Sequence, residues 1–342
     1  MNNQAQSRRN EHLTWVYDQL QGCGEIYLEP AHLRTLQILA LPTHVSDNGE
    51  VLFHPRFFKA HPARVLGEYP VNQSVMGPAN PPRGVPPLCD PPSLEKELWN
   101  HVHIADDGDR IQAARDSLAD RLSQYWHEWT CVQRVHGHIQ SHILAPRFGR
   151  PEGSTLCELG ALQPSLLQEV ASSNDPPTAS TCANNMNWQI EDLLEDSSRN
   201  TNPHTIMSVL TEVDAGAEPA SLTLHEVLAA VTMMRIRTSH GPWTSNAIHP
   251  LLMISYTGDG CGRITQVSLH GETLILQYSP LWDFQHSDSA PVELFVRYYL
   301  SGLGSVSLMD YANPDADALT GLVSSLTLDT TAGGSSEKMD VS

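Results

Sequence analysis

The sequence predicts an α+β protein with a mainly helical N-terminal part and, at the C-terminal end, a small three-strand antiparallel meander with one packed helix. Two observations lead to this prediction. Apolar residues recur at three- and four-residue intervals in much of the first 170 residues, which is typical of amphipathic helices. Beyond residue 249, three short runs of apolar and β-branched residues are separated by glycine-containing turns, as in consecutive β-hairpins.

The N-terminal α-rich segment, residues 1–69, contains two predicted helices. The first has its apolar side chains on one face over residues 11–20. The second begins at Pro30, which suits the first turn of a helix, continues with a leucine at every third position, and ends at Pro42. Residues 70–92 follow as a proline-rich linker or an extended strap, because eight of these 23 residues are proline.

Residues 93–170 form a second helical region. Its longest helix is predicted over residues 109–135, with Asp109 as the N-cap and an interruption at Gly137. Apolar side chains spaced three and four residues apart give this helix one buried stripe, and a weaker helix follows it within the same region.

Residues 171–220 are mostly polar and acidic, and we interpret them as a mobile acidic connection. Two apolar patches, at 188–194 and 206–213, are assigned to short helices within it. An α+β module over residues 221–310 comes next, and residues 311–342 are predicted to be a disordered tail, because they are rich in Asp, Ser, Thr and Gly.

The start of the α+β module carries a helix-capping signal. Thr223 and Glu226 stand at the N-cap and N3 positions of a capping box, and Arg235 and Arg237 lie in the last turn, where the helix dipole favours cations.

The meander and the final helix follow. The three predicted strands are Leu251–Tyr256, 263–269 and Thr273–Tyr278, and the helix covers 291–301. Arg297 interrupts the apolar face of this helix, so we expect it to pair with a carboxylate such as Asp283 or Glu293.

The charge and cysteine content argue against several functional classes. The chain has 20 Lys and Arg against 39 Asp and Glu, a formal net charge of −19. Binding to nucleic acid requires clustered basic side chains, so we expect no nucleic-acid partner. Six cysteines without a Cys-x-x-Cys pair indicate neither a disulfide framework nor a zinc ribbon. No long apolar segment or signal peptide is visible, so we expect no membrane span and an intracellular, cytoplasmic or nuclear location.

Four residues form the main metal-binding hypothesis of the sequence: His127, Cys131, His138 and His142. Within each pair the spacing is i, i+4, which places both side chains on one helical face, as in many zinc sites. On one continuous helix the four would span roughly 22 Å, at about 1.5 Å per residue, so one ion cannot bind them all. The stripe also lies opposite the apolar stripe and should face solvent. The sequence therefore favours no metal and no cofactor, with these residues as candidates only.

The C-terminal segment resembles known proteins, and the resemblance indicates a source organism type but no activity. The segment from His249-Pro250 to Arg297, with Arg263-Ile264 and Asp283-Phe284, resembles a module in uncharacterised proteins of filamentous ascomycete fungi. The resemblance covers about 55 of the 342 residues. It implies a fungal, intracellular protein and carries no assigned activity and no catalytic residues.

Three functions remain open at the level of sequence. The first is a non-enzymatic protein that acts through contacts with a protein partner in a regulatory or accessory role, because no G-x-S-x-G, P-loop or H-E-x-x-H signature is present. The second is an enzyme or small-molecule-binding protein whose site is assembled from scattered His, Cys and Asp residues. The third is an acidic transcriptional cofactor.

Overall fold

The structure is a computed structural model, and the described residues are 3–72, 101, 107–125, 128–151, 154–164, 180–183, 186–196, 202–239 and 248–304. The described residues belong to one compact unit, which ends at Gly304. The predicted disordered tail and all but the first three residues of the predicted proline-rich linker lie outside them.

A nine-stranded mixed β-sheet forms the centre of this part of the chain. Its strands are β2 (Ile38–Pro42), β4 (Gln163–Pro164), β5 (Ser180–Ala183), β6 (Met186–Glu195), β7 (Thr205–Thr211), β9 (Leu251–Tyr256), β10 (Cys261–His270), β11 (Thr273–Tyr278) and β12 (Trp282–Asp283). Seven of them follow the order β2-β11-β10-β9-β7-β6-β4, while β5 also pairs with β6 and β12 with β10. Two short pairs lie outside the sheet: β1 (Tyr27–Leu28) with β8 (Leu222–Thr223), and β3 (Phe58–Lys59) with β13 (Gly302–Leu303).

Helices cover both faces of the sheet. The described helices are α1 (Asn3–Gln21), α2 (Pro30–Thr35), α3 (Val65–Glu68), α4 (Asp107–Tyr125), α5 (Glu128–Leu144), α6 (Leu224–Ser239) and α7 (Val292–Tyr299), with 3₁₀ helices at Leu156–Leu159 and Ala215–Ala217. On one face, α1, α2 and α6 share a hydrophobic core with Met207 and Val209 of β7. Between these two residues, Ser208 points to the other face, where α5 lies and where α5 contacts α7. None of the described helices is long and apolar enough to cross a membrane.

The predicted fold class is wrong for the N-terminal part, because β2 belongs to the central sheet. The predicted second helix ends at Thr35, and Gln37 adopts a φ of 56°, which turns the chain out of the helix. Residues 38–42 then pair in parallel with β11, in the register Ile38 to Leu274. The strand forms because a partner more than 230 residues away completes its hydrogen bonds, and the periodicity of a short segment carries no information about that partner.

The predicted meander is also only part of a larger sheet. β9, β10 and β11 are antiparallel neighbours, as the sequence predicts, but β7 pairs in parallel with β9 and continues the sheet towards β6. The two apolar patches assigned to short helices are strands β6 and β7. Every residue of β7 is buried, so this strand has no alternation of apolar and polar residues to mark it.

The helical region after the linker also differs from the prediction. Two helices, α4 and α5, replace the predicted helix over 109–135, and α5 continues through Gly137 as far as Leu144. A glycine inside a helix costs about 1 kcal/mol. Burial of Val132, Val135 and Ile139 on α5 offsets that cost, because each buried aliphatic side chain contributes roughly 1.5–3 kcal/mol.

Ion pairs fix α6 and α7, and the two pairs of α6 are buried. The predicted capping box is confirmed: the Glu226 N–H donates to Thr223 Oγ1 at 3.2 Å, and the Thr223 N–H donates to Glu226 Oε2 at 2.9 Å. Glu226 also pairs with Arg263, and Arg237 at the other end of α6 pairs with Glu195. Arg297 donates to Glu50 Oε1 at 3.0 Å and to the His61 carbonyl, so the predicted partners Asp283 and Glu293 are wrong.

Candidate functional site

The three metal-ligand candidates that the structure describes, Cys131, His138 and His142, do not come together as a site. His127 lies outside the described residues. Cys131 is 1 % exposed and its Sγ accepts from Arg134, while the His138 and His142 rings contact each other with centroids 4.8 Å apart. In the described part of the chain these residues form no group of three metal-binding side chains.

The expectation that this stripe faces solvent is wrong. His138 is 9 % exposed, and burial with the nearby positive charges lowers the pKa of His142 to about 4. The reason is that α5 is covered on more than one side. It contacts the sheet, α7 and the 3₁₀ helix over Leu156–Leu159, and Cys131 lies against the β9–β10 turn at Gly260.

A different site begins at an irregularity in β6. Ile190 pairs with Val209 and Leu193 with Met207, so Glu191 and Asp192 together oppose the one residue Ser208. This is a β-bulge, which reverses the alternation of the strand. Regular alternation would put Asp192 on the same face as Ile190, against the apolar core shared with α6. The bulge instead places Asp192 beside Ser208, on the face covered by α5 and α7.

Four side chains donate hydrogen bonds to one oxygen of Asp192. His136 Nε2 and Gln140 Nε2, both from α5, lie 2.6 Å from Asp192 Oδ2. Ser208 Oγ donates to the same oxygen at 2.6 Å, and the Tyr299 hydroxyl at the end of α7 donates at 3.1 Å. Asp192 therefore joins two sheet strands to both helices of this face.

The electrostatics of this group keep Asp192 ionised. Burial alone would raise the pKa of Asp192, but the hydrogen bond and the positive charge of His136, together with the hydrogen bonds from Ser208 and Tyr299, outweigh burial and hold the pKa below its ordinary value. Burial raises the pKa of Tyr299 well above its ordinary value, so the phenol keeps its proton and remains a donor. Gln140, Ser208 and Tyr299 are neutral donors that solvate the carboxylate, whereas His136 compensates its negative charge when the imidazole is protonated.

Asp192 lines a cavity of about 180 Å³ between α5, the 3₁₀ helix at Leu156–Leu159, and β4 and β6. The rest of the lining is mainly apolar, and Gln140, Cys157 and Tyr299 add polar atoms. The leucines of the lining are Leu144, Leu162, Leu193, Leu194 and Leu300. The Asp192 side chain is 26 % exposed, and none of its four hydrogen bonds engages the second oxygen, Oδ1. The cavity thus combines apolar walls with one anionic group.

The same geometry argues against covalent chemistry by Ser208. In a serine–histidine–aspartate triad, one ring nitrogen accepts the serine proton while the other donates to the aspartate. Here His136 Nε2 donates to Asp192, so it cannot accept the proton of Ser208, 3.3 Å away. Ser208 itself donates to Asp192 and is fully buried. An aspartate with a lowered pKa is also poorly matched to general-base catalysis near neutral pH.

Asp192, His136 and Tyr299 are not among the site residues predicted from the sequence. One signal was available: Trp188 and Ile190 alternate with polar residues, and Leu193 breaks this period of two, as a bulge requires. The contacts from α5 and α7 have no comparable signal, because they lie 56 and 107 residues away along the chain.

No protein-family model matches this sequence, and neither a curated protein nor a solved structure shows significant similarity to it. The assignment of a function therefore rests on the chemistry of the described residues.

Proposed function

We propose that the protein is a small-molecule-binding protein, the second function left open by the sequence, and that its ligand carries a positive charge. The observation that carries the proposal is the position of the Asp192 carboxyl group in the wall of an otherwise mainly apolar cavity. Its lowered pKa favours the ionised form. Ligand sites commonly combine apolar walls with a few polar groups that fix orientation. A protonated amine would reach the carboxylate, and its hydrocarbon part would contact the leucines.

The volume of the cavity limits the size of the ligand. An apolar cavity of about 150 Å³ accepts benzene, so about 180 Å³ suits a molecule of roughly eight heavy atoms. Benzylamine has this size and a cationic amine, and benzyl alcohol is its neutral counterpart of the same shape. At about 0.5 kcal/mol per heavy atom, eight atoms correspond to a Kd near 1 mM.

The test is a titration of the purified protein with both compounds, followed by NMR or calorimetry. We expect benzylamine to bind at least about tenfold more tightly than benzyl alcohol, since a charge-assisted hydrogen bond contributes about 1.5–3 kcal/mol. The variant D192N should remove this preference. The variant C157F should weaken both compounds, because it narrows the cavity without changing the bonds of Asp192. Equal affinities of both compounds for the wild-type protein would refute the proposal.

A role through protein contacts and a role as an acidic transcriptional cofactor remain predictions from the sequence. They rest mainly on the proline-rich and acidic segments, much of which lies outside the described residues. A pull-down from native lysate that returns only the bait would count against the first role. Failure of 171–220 and 311–342 to activate a tethered reporter would count against the second.

A further inference from the structure

Three metal-binding side chains of different types converge near the C-terminal end of α1. They are Cys23, Glu25 and His32, and one ligand atom from each lies within 4.8 Å of the other two. They share no residue with the Asp192 cavity. Cys23 is a free thiol.

The backbone around this group is held by the core. Cys23 follows the last turn of α1, where its N–H donates to the Leu20 carbonyl at 3.1 Å. His32 lies on α2, next to the buried Leu33. Leu20, Leu28 and Leu33 all belong to the hydrophobic core beneath the group. The positions of Cys23 and His32 are therefore fixed by packing and not by the three donors themselves.

The spacing of the donors suits one tetrahedral ion. Zinc binds oxygen and nitrogen at about 2.0–2.1 Å and sulfur at about 2.3 Å. A tetrahedral angle then separates oxygen from nitrogen by about 3.3 Å and sulfur from nitrogen by about 3.6 Å. The distance from His32 Nδ1 to Glu25 Oε2 is 3.1 Å. Small side-chain movements bring the remaining atoms, now within 4.8 Å, to these separations.

Exposure and donor type indicate which ion fits. The side chains of His32 and Glu25 are 33 % and 61 % exposed, so an ion can enter from solvent. A thiolate with an imidazole favours zinc and similar transition metals, whereas calcium and magnesium prefer sites made only of oxygen. Three protein ligands leave the fourth position of a tetrahedral ion open, as in catalytic zinc sites.

We propose that Cys23, Glu25 and His32 bind one divalent transition-metal ion, zinc in the first instance, with a fourth position open to water or to a ligand. When the ion binds, the thiol of Cys23 loses its proton to solvent and the thiolate sulfur bonds to the metal. The bound ion links the end of α1 to α2.

The test uses the untagged full-length protein after treatment with a chelator. Zinc chloride is titrated by calorimetry and cobalt chloride by absorption spectroscopy. We expect one ion per chain, a thiolate-to-cobalt charge-transfer band, and a higher melting temperature with zinc. C23S and H32Q should each weaken binding by at least about 100-fold, since even the outer-shell partners of metal ligands are worth 10- to 100-fold.

The controls separate this site from incidental binding. C261S removes another partly buried thiol, and H12Q removes a histidine from α1; both should bind zinc like the wild-type protein. E25Q removes the most exposed donor, and so tests the site even if C23S or H32Q fails to fold. The inference is overturned if zinc binds no more tightly to the wild-type protein than to E25Q, or if the cobalt complex lacks the charge-transfer band. Neither result would affect the proposal for Asp192.

Discussion

Replacing Arg263 with methionine tests the buried ion pair that anchors α6 to the sheet. The Arg263 and Glu226 side chains are both 0 % exposed, and Arg263 Nη1 lies 3.2 Å from Glu226 Oε2. Arg263 also donates to the carbonyls of Ser221 and Pro219, at 2.8 and 2.9 Å. R263M therefore removes the positive charge and leaves the Glu226 carboxylate buried without it.

The expected loss of stability is large because Glu226 stays in place. Removing one partner of a buried ion pair costs about 3–5 kcal/mol. The free energy of unfolding of a native protein is typically about 5–15 kcal/mol, so R263M should lose a large part of it. The double variant E226Q/R263M removes the buried charge but keeps a side chain that can complete the capping box. We expect the double variant to be more stable than R263M by about 1–2 kcal/mol. It leaves some neutral hydrogen-bonding groups without a partner, but no buried charge.

The assay is urea denaturation followed by tryptophan fluorescence, with R56M as the matched control. Arg56 pairs with Glu50 at 2.6 Å, but its side chain is 37 % exposed. Surface pairs contribute about 0–1 kcal/mol, so R56M should be close to the wild-type protein. If R263M and R56M lower the free energy of unfolding by the same small amount, another group compensates the charge of Glu226. The ion pair with Arg263 is then not what stabilises the buried carboxylate. A double variant less stable than R263M would also refute this role of the ion pair.

Three further predictions concern other parts of the chain. Burial and the charge of Arg237 lower the pKa of His204 to about 4. Its neutral form therefore stabilises the fold above pH 6.5, and this stability is lost as the pH falls from 6.5 towards 4. Urea titrations should show a loss of about 2 kcal/mol between pH 7 and pH 4.5 that is absent in H204F, and equal losses would contradict the burial of a neutral histidine. A Cβ at Gly262 would lie 2.9 Å from the rings of two buried phenylalanines, whereas one at Gly67 would meet nothing within 4 Å. G262A should therefore lose about 1–3 kcal/mol in thermal unfolding while G67A stays close to the wild-type protein. Cys157 lines the cavity, so benzylamine should slow its labelling by a thiol reagent. The labelling of Cys23 should not change, and mass spectrometry of the labelled peptides measures both rates.

Features that depend on neighbouring residues could be predicted from the sequence. The capping box at Thr223 and Glu226 needs only a span of four residues, and it forms as predicted. The antiparallel pairing of β9, β10 and β11 follows from short glycine turns between strand-like runs.

Features that depend on distant partners could not be predicted. The sequence of β2 has the leucine spacing of the preceding helix. It forms a strand because it pairs with β11, which is distant along the chain. β7 is buried along its whole length, with helices on both faces of the sheet and a neighbouring strand on each side. Its apolar run therefore lacks the alternation of apolar and polar residues that marks a half-exposed strand. The sequence assigns β2, β6 and β7 to helices and does not mark β4, β5 or β12 as strands, so only three of the nine strands of the sheet are predicted.

Only one part of the candidate site, the bulge in β6, has a signal in the sequence. The break in alternation between Ile190 and Leu193 shows that β6 contains an extra residue, and so indicates that Asp192 changes face. The donors to its carboxylate come from α5 and α7, whose packing on this face is a property of the whole fold. The general hypothesis of a site assembled from scattered His, Cys and Asp residues could be stated from composition, but its members could not.

The most direct measurement of the central claim is a crystal structure of the protein soaked with 4-bromobenzylamine, in which anomalous scattering locates the bromine. We expect a bromine peak inside the cavity and an amine nitrogen about 2.7–2.9 Å from a carboxylate oxygen of Asp192. The same soak of D192N should give a weaker peak or none. A peak of equal height in both proteins, or an amine that points away from Asp192 towards solvent, would contradict the claim that this carboxylate recognises a cationic ligand.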